Sequence, residues 1–111
     1  MSIFSKASGG RTISAKEAHD AMEKLSNYVL LDVRTPQEFK QIRIKDAKLI
    51  PVDELQGRAE AELPDKDAPI FVYCQSGARS SSALRVLVHL GYTNVANFGG
   101  IMSWPYETVR G

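Results

Sequence analysis

The chain's 111 residues, 43% apolar and 24% charged, fit one ordinary globular domain and exclude disordered, collagen-like and membrane-embedded classes. Fourteen basic side chains against thirteen acidic ones leave a net charge of +1, too weak a field to point to nucleic acid as a partner. One cysteine and two distant histidines exclude an intramolecular disulfide and a four-ligand structural metal cluster.

Residues 1–10 are rich in Ser and Gly without periodicity and read as a mobile tail, with the domain expected over residues 11–111. That opening holds no apolar run of signal-peptide length, and nowhere do about eighteen apolar residues follow one another. No membrane association is expected, and the reducing cytosol is the expected location. Ser14 followed by Glu17 has the form of a capping box, and Ala18, Ala21, Met22 and Leu25 recur at helical spacing, which predicts a helix over residues 15–25. The apolar run Tyr28-Val29-Leu30-Leu31-Asp32-Val33 predicts a strand covered on both faces. Thr35-Pro36-Gln37-Glu38 combines a capping hydroxyl, a first-turn proline and a reciprocal glutamate, predicting a short helix to residue 41.

Lys48-Leu49-Ile50 reads as a brief strand halted by Pro51, after which Asp53 is expected to cap a helix reaching residue 63. Pro69-Ile70-Phe71-Val72-Tyr73 is the most strand-like stretch and is placed at the centre of the sheet. Ala83, Leu84, Leu87, Val88 and Leu90 mark an amphipathic helix that Gly91 stops. Val95-Ala96-Asn97-Phe98 forms a last strand, and Gly99-Gly100 is expected to turn the chain into a final helix over residues 102–107. Short strands alternating with helices predict an α/β fold: a single domain with a mostly parallel central sheet of about five strands and helices on both faces. In such sheets the functional crevice lies at the carboxyl ends of the strands.

That rule singles out Cys74-Gln75-Ser76-Gly77-Ala78-Arg79-Ser80, which follows the central strand. A helix expected to begin near Ser80 would aim its unpaired N–H groups at the Cys74 thiol, and Arg79 adds a positive charge, so the thiol pKa is expected to fall. Gly77 and Ala78 allow a loop whose N–H groups cradle an anion. Such a site suits a donor with a transferable outer sulfur and a sulfonate body, such as thiosulfate. Cys74 would keep the sulfur as a persulfide and pass it to a thiophilic acceptor such as cyanide or a thiol, with no metal or organic cofactor.

The same residues carry a family resemblance. Cys74-Gln75-Ser76-Gly77-Ala78-Arg79-Ser80 after an apolar strand is similar to the active-site loop of the rhodanese family. Asp32-Val33-Arg34-Thr35-Pro36-Gln37-Glu38-Phe39 resembles that family's D-V-R-x-P-x-E-[FY] segment, and Gly99-Gly100-Ile101-Met102-Ser103-Trp104 its G-G-x-x-x-W segment. The resemblance implies a rhodanese-like domain and a thiosulfate sulfurtransferase. In it, Cys74 is the sulfur-carrying nucleophile and Gln75, Ser76, Gly77, Ala78 and Arg79, with Ser80 at the helix start, bind substrate. One segment departs: where the family commonly has a G-H-I-P-G-A stretch, this chain reads Gln41-Ile42-Arg43-Ile44-Lys45-Asp46-Ala47, with the glycine-proline turn gone and positive charge in its place, which implies altered loop geometry and a changed partner surface.

Structural roles weigh against chemical ones elsewhere. Asp32 is expected to brace neighbouring loops and Arg34 to pair with an acid such as Glu38. His19 and His89 have no paired acid evident in sequence and are read as surface or packing residues, and Trp104 as a core residue. Lys40, Arg43, Lys45 and Lys48 form a basic segment that reads first as a solvated face and second as a guide for an anionic donor or an acidic partner. Three alternatives stand beside the enzyme: a non-catalytic binding or regulatory module, a sulfur-relay carrier that hands sulfur to another protein, and a cysteine phosphatase or arsenate reductase. The last is disfavoured because its signature sets five residues between cysteine and arginine, and here there are four, Gln75 to Ala78.

Overall fold

A computed structural model describes residues 10–111; all but the last residue of the tail reading for residues 1–10 falls outside the described residues. Four α-helices and seven strands follow in the order β1 (Arg11–Thr12), α1 (Ala15–Lys24), β2 (Val29–Asp32), α2 (Pro36–Gln41), β3 (Arg43–Ile44), β4 (Lys48–Leu49), α3 (Val52–Glu62), β5 (Ile70–Cys74), α4 (Ala78–His89), β6 (Val95–Gly100) and β7 (Thr108–Val109). A single 3-10 turn, Ile101–Ser103, lies between β6 and β7. The main sheet runs β1-β6-β5-β2-β4 with every neighbouring pair parallel, and β5 is central as its composition predicts. A separate antiparallel pair joins β3 to β7. Among the described residues no helix is long and apolar enough to cross a membrane.

Strand periodicity divides the core into two layers. Ile70, Val72 and Cys74 of β5 face Leu55, Ala59, Ala83 and Leu87 of α3 and α4. Phe71 and Tyr73 face Ala18 and Ala21 of α1, together with Phe98 and Ile101. Both capping boxes form: Ser14 Oγ accepts from Glu17 N at 3.0 Å and Thr35 Oγ1 from Glu38 N at 3.2 Å, while each glutamate accepts from its cap residue's N–H at 2.9 Å.

Four local expectations are corrected. Asp53 does not cap α3: Pro51 occupies the N-cap position, and Asp53 lies inside the first turn, where an acidic charge meets the helix dipole. The predicted helix over residues 102–107 is replaced by the short 3-10 turn, after which the chain straightens into β7. Pro105 removes a backbone donor there, and pairing with β3 captures the remainder. Gly99-Gly100 does not break β6 but completes it, because Gly100 pairs with Cys74. The helix after the cysteine starts at Ala78 instead of near Ser80, which tightens the loop.

The departing segment has its own geometry. Asp46 adopts φ 71°, in the left-handed region that aspartate tolerates better than most side chains. Ile44 N–H donates to the Tyr73 hydroxyl at 3.1 Å, tying this segment to the central strand.

Candidate active site

Cys74 is the last residue of β5 and is buried, at 1% exposure. The chain then turns through Gln75, Ser76 and Gly77, and Gly77 adopts φ 117° as the N-cap of α4. Only glycine takes that conformation without strain. The turn directs the Gly77 N–H onto the Cys74 sulfur at 3.0 Å, and the Ser80 hydroxyl lies 3.5 Å from the same atom. Burial by itself raises the thiol pKa, but the Ser80 side chain and the backbone N–H groups of Ser80, Gly77 and Ser76 outweigh it, so the thiol lies below its ordinary value.

The loop is fastened on both flanks. On one side, Met102 N–H donates to the Gln75 carbonyl at 3.3 Å, and Gly100 lies so close that a Cβ there would stand 2.1 Å from the Gln75 oxygen. On the other, Arg34 Nη1 donates to Gln75 Oε1 at 3.3 Å while Nη2 donates to the Ile42 carbonyl at 2.6 Å. Beneath, Ser80 and Ser81 hydroxyls both donate to the Gly77 carbonyl at 3.0 Å. Asn97 donates to Ser81 Oγ at 3.3 Å and accepts from Gly99 N–H at 2.8 Å.

Arg34 does not pair with Glu38. It is buried beside Asp32, with Nε on Oδ1 at 3.0 Å and Nη2 on Oδ2 at 2.7 Å. The sequence separation of two residues brings them together because both lie at the end of β2, where the strand stops and the chain folds back. Burial disfavours the Arg34 charge, yet Asp32 more than compensates and holds the guanidinium above its ordinary value. Glu38 pairs instead with Arg79, which pulls the carboxyl down to about 2. The Arg79 guanidinium is raised first by Glu38, with a smaller electrostatic contribution from Cys74.

The predicted loop residues therefore converge, though not equally. Ser76, Gly77 and Ser80 address the sulfur, Gln75 anchors the loop, Ala78 opens α4 at the surface, and Arg79 is held by Glu38. A cavity of about 210 Å³ next to them is lined by Val33, Arg34, Thr35, Val52, Asp53 and Arg79. His19 lies away from this loop, where it stacks on Tyr106 at 3.8 Å; unlike the expectation, it has acids nearby, Asp20 at 3.5 Å and Glu23 at 3.9 Å. Trp104 is partly buried against Phe98 in the core layer that contains α1, as expected. Three neighbours of the site were read differently in the sequence: Glu38 as a capping glutamate and a partner for Arg34, Gly100 as one of a turning glycine pair, and Asn97 as a strand residue without a site role.

The profile of the rhodanese-like domain matches residues 14–106. The chain belongs to the rhodanese-like domain family. It is 36% identical over 81 residues to the thiosulfate sulfurtransferase PspE of Escherichia coli, an alignment covering 73% of this chain and 78% of that protein. It is 33% identical to the probable adenylyltransferase/sulfurtransferase MoeZ of Mycobacterium tuberculosis, covering 92% of this chain but 26% of that longer protein. A solved structure described as rhodanese with anions from E. coli superposes with a TM-score of 0.71 at 34% identity, over 76% of this chain and 99% of that one. The rhodanese-like fold expected from the sequence is thus the fold present.

Proposed function

We propose that this protein is a sulfurtransferase that carries sulfane sulfur on Cys74, with thiosulfate or a similar anionic compound as donor. The observation that carries the reading is the Cys74 sulfur at the end of the central strand, 3.0 Å from the Gly77 N–H and depressed in pKa by the converging N–H groups. In loading, the Cys74 thiolate attacks the outer sulfur of thiosulfate. The S–S bond of the donor breaks, sulfite leaves with its electron pair, and a Cys74 persulfide forms. The Ser76, Gly77 and Ser80 N–H groups that favour the thiolate also suit the persulfide anion. In discharge, cyanide or a thiol takes the outer sulfur and the thiolate returns.

Gln75, Ser76, Gly77, Ala78, Arg79 and Ser80 bound the donor site in this reading, while Asp32 and Arg34 brace it. With one cysteine in the chain, sulfur leaves to another molecule, so a thiol or a sulfur-accepting protein completes the cycle in a reducing cytosol.

The deciding experiment is intact mass after incubation with thiosulfate, before and after cyanide, for the native chain and Cys74→Ala. Gain of one sulfur atom, removed by cyanide and absent in C74A, is expected. A native chain that gains no sulfur from thiosulfate or any other sulfane donor overturns the reading in favour of a binding module.

A further inference from the structure

The sheet order places β2, β5 and β6 side by side and parallel, so the segments that follow them emerge at one edge. After β2 come α2 and β3, after β5 the Cys74 loop, and after β6 the 3-10 turn Ile101–Ser103. The loop thus has two flanks of different character. On the β6 side stands Met102, 73% exposed and the one mostly exposed large apolar side chain among the described residues. Its N–H binds the Gln75 carbonyl, so it rises from the rim of the loop itself.

The β2 side is basic. Arg43 follows Ile42, whose carbonyl shares the Arg34 guanidinium with Gln75. Lys40 closes α2, and its carbonyl accepts from Gly111 N–H at 3.0 Å, which brings Arg110 alongside. None of Lys40, Arg43 and Arg110 has a described carboxylate partner, whereas Lys16, Lys48, Arg58 and Lys66 elsewhere are each in an ion pair. Two acids near this edge are already engaged, Glu38 with Arg79 and Asp32 with Arg34. Lys45 continues the run one residue beyond the Ile44–Thr108 pair, on the side of Glu107.

An exposed methionine on the rim of the cysteine loop, with uncompensated arginine and lysine on the opposite flank, has the composition of a protein contact: an apolar centre and a charged rim. We infer that the face formed by Met102, the Cys74 loop, Lys40, Arg43 and Arg110 docks an acidic partner protein, which presents a sulfur-accepting thiol to Cys74. The inference rests on the sulfurtransferase reading for the identity of the transferred group, but the docking itself is tested without sulfur. Such a partner places acidic side chains near its thiol and an apolar one to meet Met102.

The test titrates isotopically labelled protein with two synthetic peptides of equal length, each with one cysteine and one leucine, flanked in one by glutamates and in the other by lysines. The glutamate peptide is expected to shift amide resonances at residues 40–43, 75–77, 102 and 110, with the shifts weakening as salt rises. The lysine peptide should not. Binding is expected to fall about tenfold in K40E/R43E/R110E and to weaken in Met102→Ser, both far from the structural core. No shifts, shifts elsewhere, or shifts untouched by charge reversal overturn the inference. A charge-reversed triple variant that loses thiosulfate loading as severely as peptide binding also overturns it, since the cations would then serve the small donor. Persulfide formation, read by mass, stands or falls separately.

Discussion

Glu38 and Arg79 are 41 residues apart in the chain and meet in a two-point ion pair, Nη1 on Oε1 at 2.7 Å and Nη2 on Oε2 at 2.9 Å. Glu38 is also the reciprocal glutamate of the α2 capping box, so one carboxylate ties the start of α2 to the start of α4, the helix whose N-terminal turn faces Cys74. The family segment that contains Glu38 and the loop that contains Arg79 are thereby one mechanical unit.

Glu38→Gln keeps the side-chain shape and removes the charge. The pair is about a third exposed, which limits its contribution to about 1 kcal/mol or less. The folded carboxyl lies at about 2 against 4.5 ordinarily, so its stabilisation is present above pH 4.5 and is lost as pH falls from there toward 2. Urea unfolding at pH 7 and pH 3 should show that the native chain loses more stability between these values than E38Q does. An equal loss in both would remove the pair as a stabilising element.

The thiol of Cys74 should react with iodoacetamide with a midpoint below that of a free cysteine, because hydrogen bonds to sulfur outweigh burial. Ser80→Ala deletes the first of those favourable contacts and is expected to move the midpoint upward while leaving the fold intact. A midpoint that does not move assigns Ser80 to packing alone.

Gly100→Ala places a Cβ against the Gln75 carbonyl and Ser76 Cα, at 2.1 Å and 2.6 Å, both rigid backbone. Either β6 or the loop must yield. A loss of roughly 2 kcal/mol in chemical denaturation, with a larger fall in sulfur loading than C74-independent stability accounts for, is expected. Wild-type values in both assays would mean that the edge gives way freely.

Asp32→Asn should cost on the order of 3 kcal/mol, far more than E38Q, since it leaves the Arg34 charge buried beside a neutral partner. The contrast between the two acids is the point of measurement: the same chemistry, an ion pair with arginine, differs in weight because one pair is sealed from water and the other is not. Comparable losses would contradict that account.

Much of the domain was legible locally. Two capping boxes, an apolar β-branched central strand and the amphipathic α4 each carry their signal within a few neighbouring residues, and each formed, α4 starting two residues earlier than expected. The position of Cys74 between strand and helix was legible for the same reason. The pairing partners were not. Arg34 has two carboxylates within four residues in sequence, and only the geometry at the end of β2 selects Asp32; Arg79 has no sequence neighbour that identifies Glu38. The last segment misled because its residues favour a helix locally, while β3 offers an open edge to pair with, a non-local gain that propensity does not contain.

The sequence by itself determined the fold class, the order of the main elements from α1 to β6 and the residue types at the loop after β5, because propensity, capping and hydrophobic period act over short distances, whereas β1, β3 and β7 left no such local signal. Only the tertiary structure decided which charges meet, which N–H groups reach the sulfur, and that an exposed methionine and an unneutralised basic edge share the rim of one loop. The Glu38–Arg79 pair joins segments 41 residues apart, and the shared rim exists only once the parallel strands lie side by side.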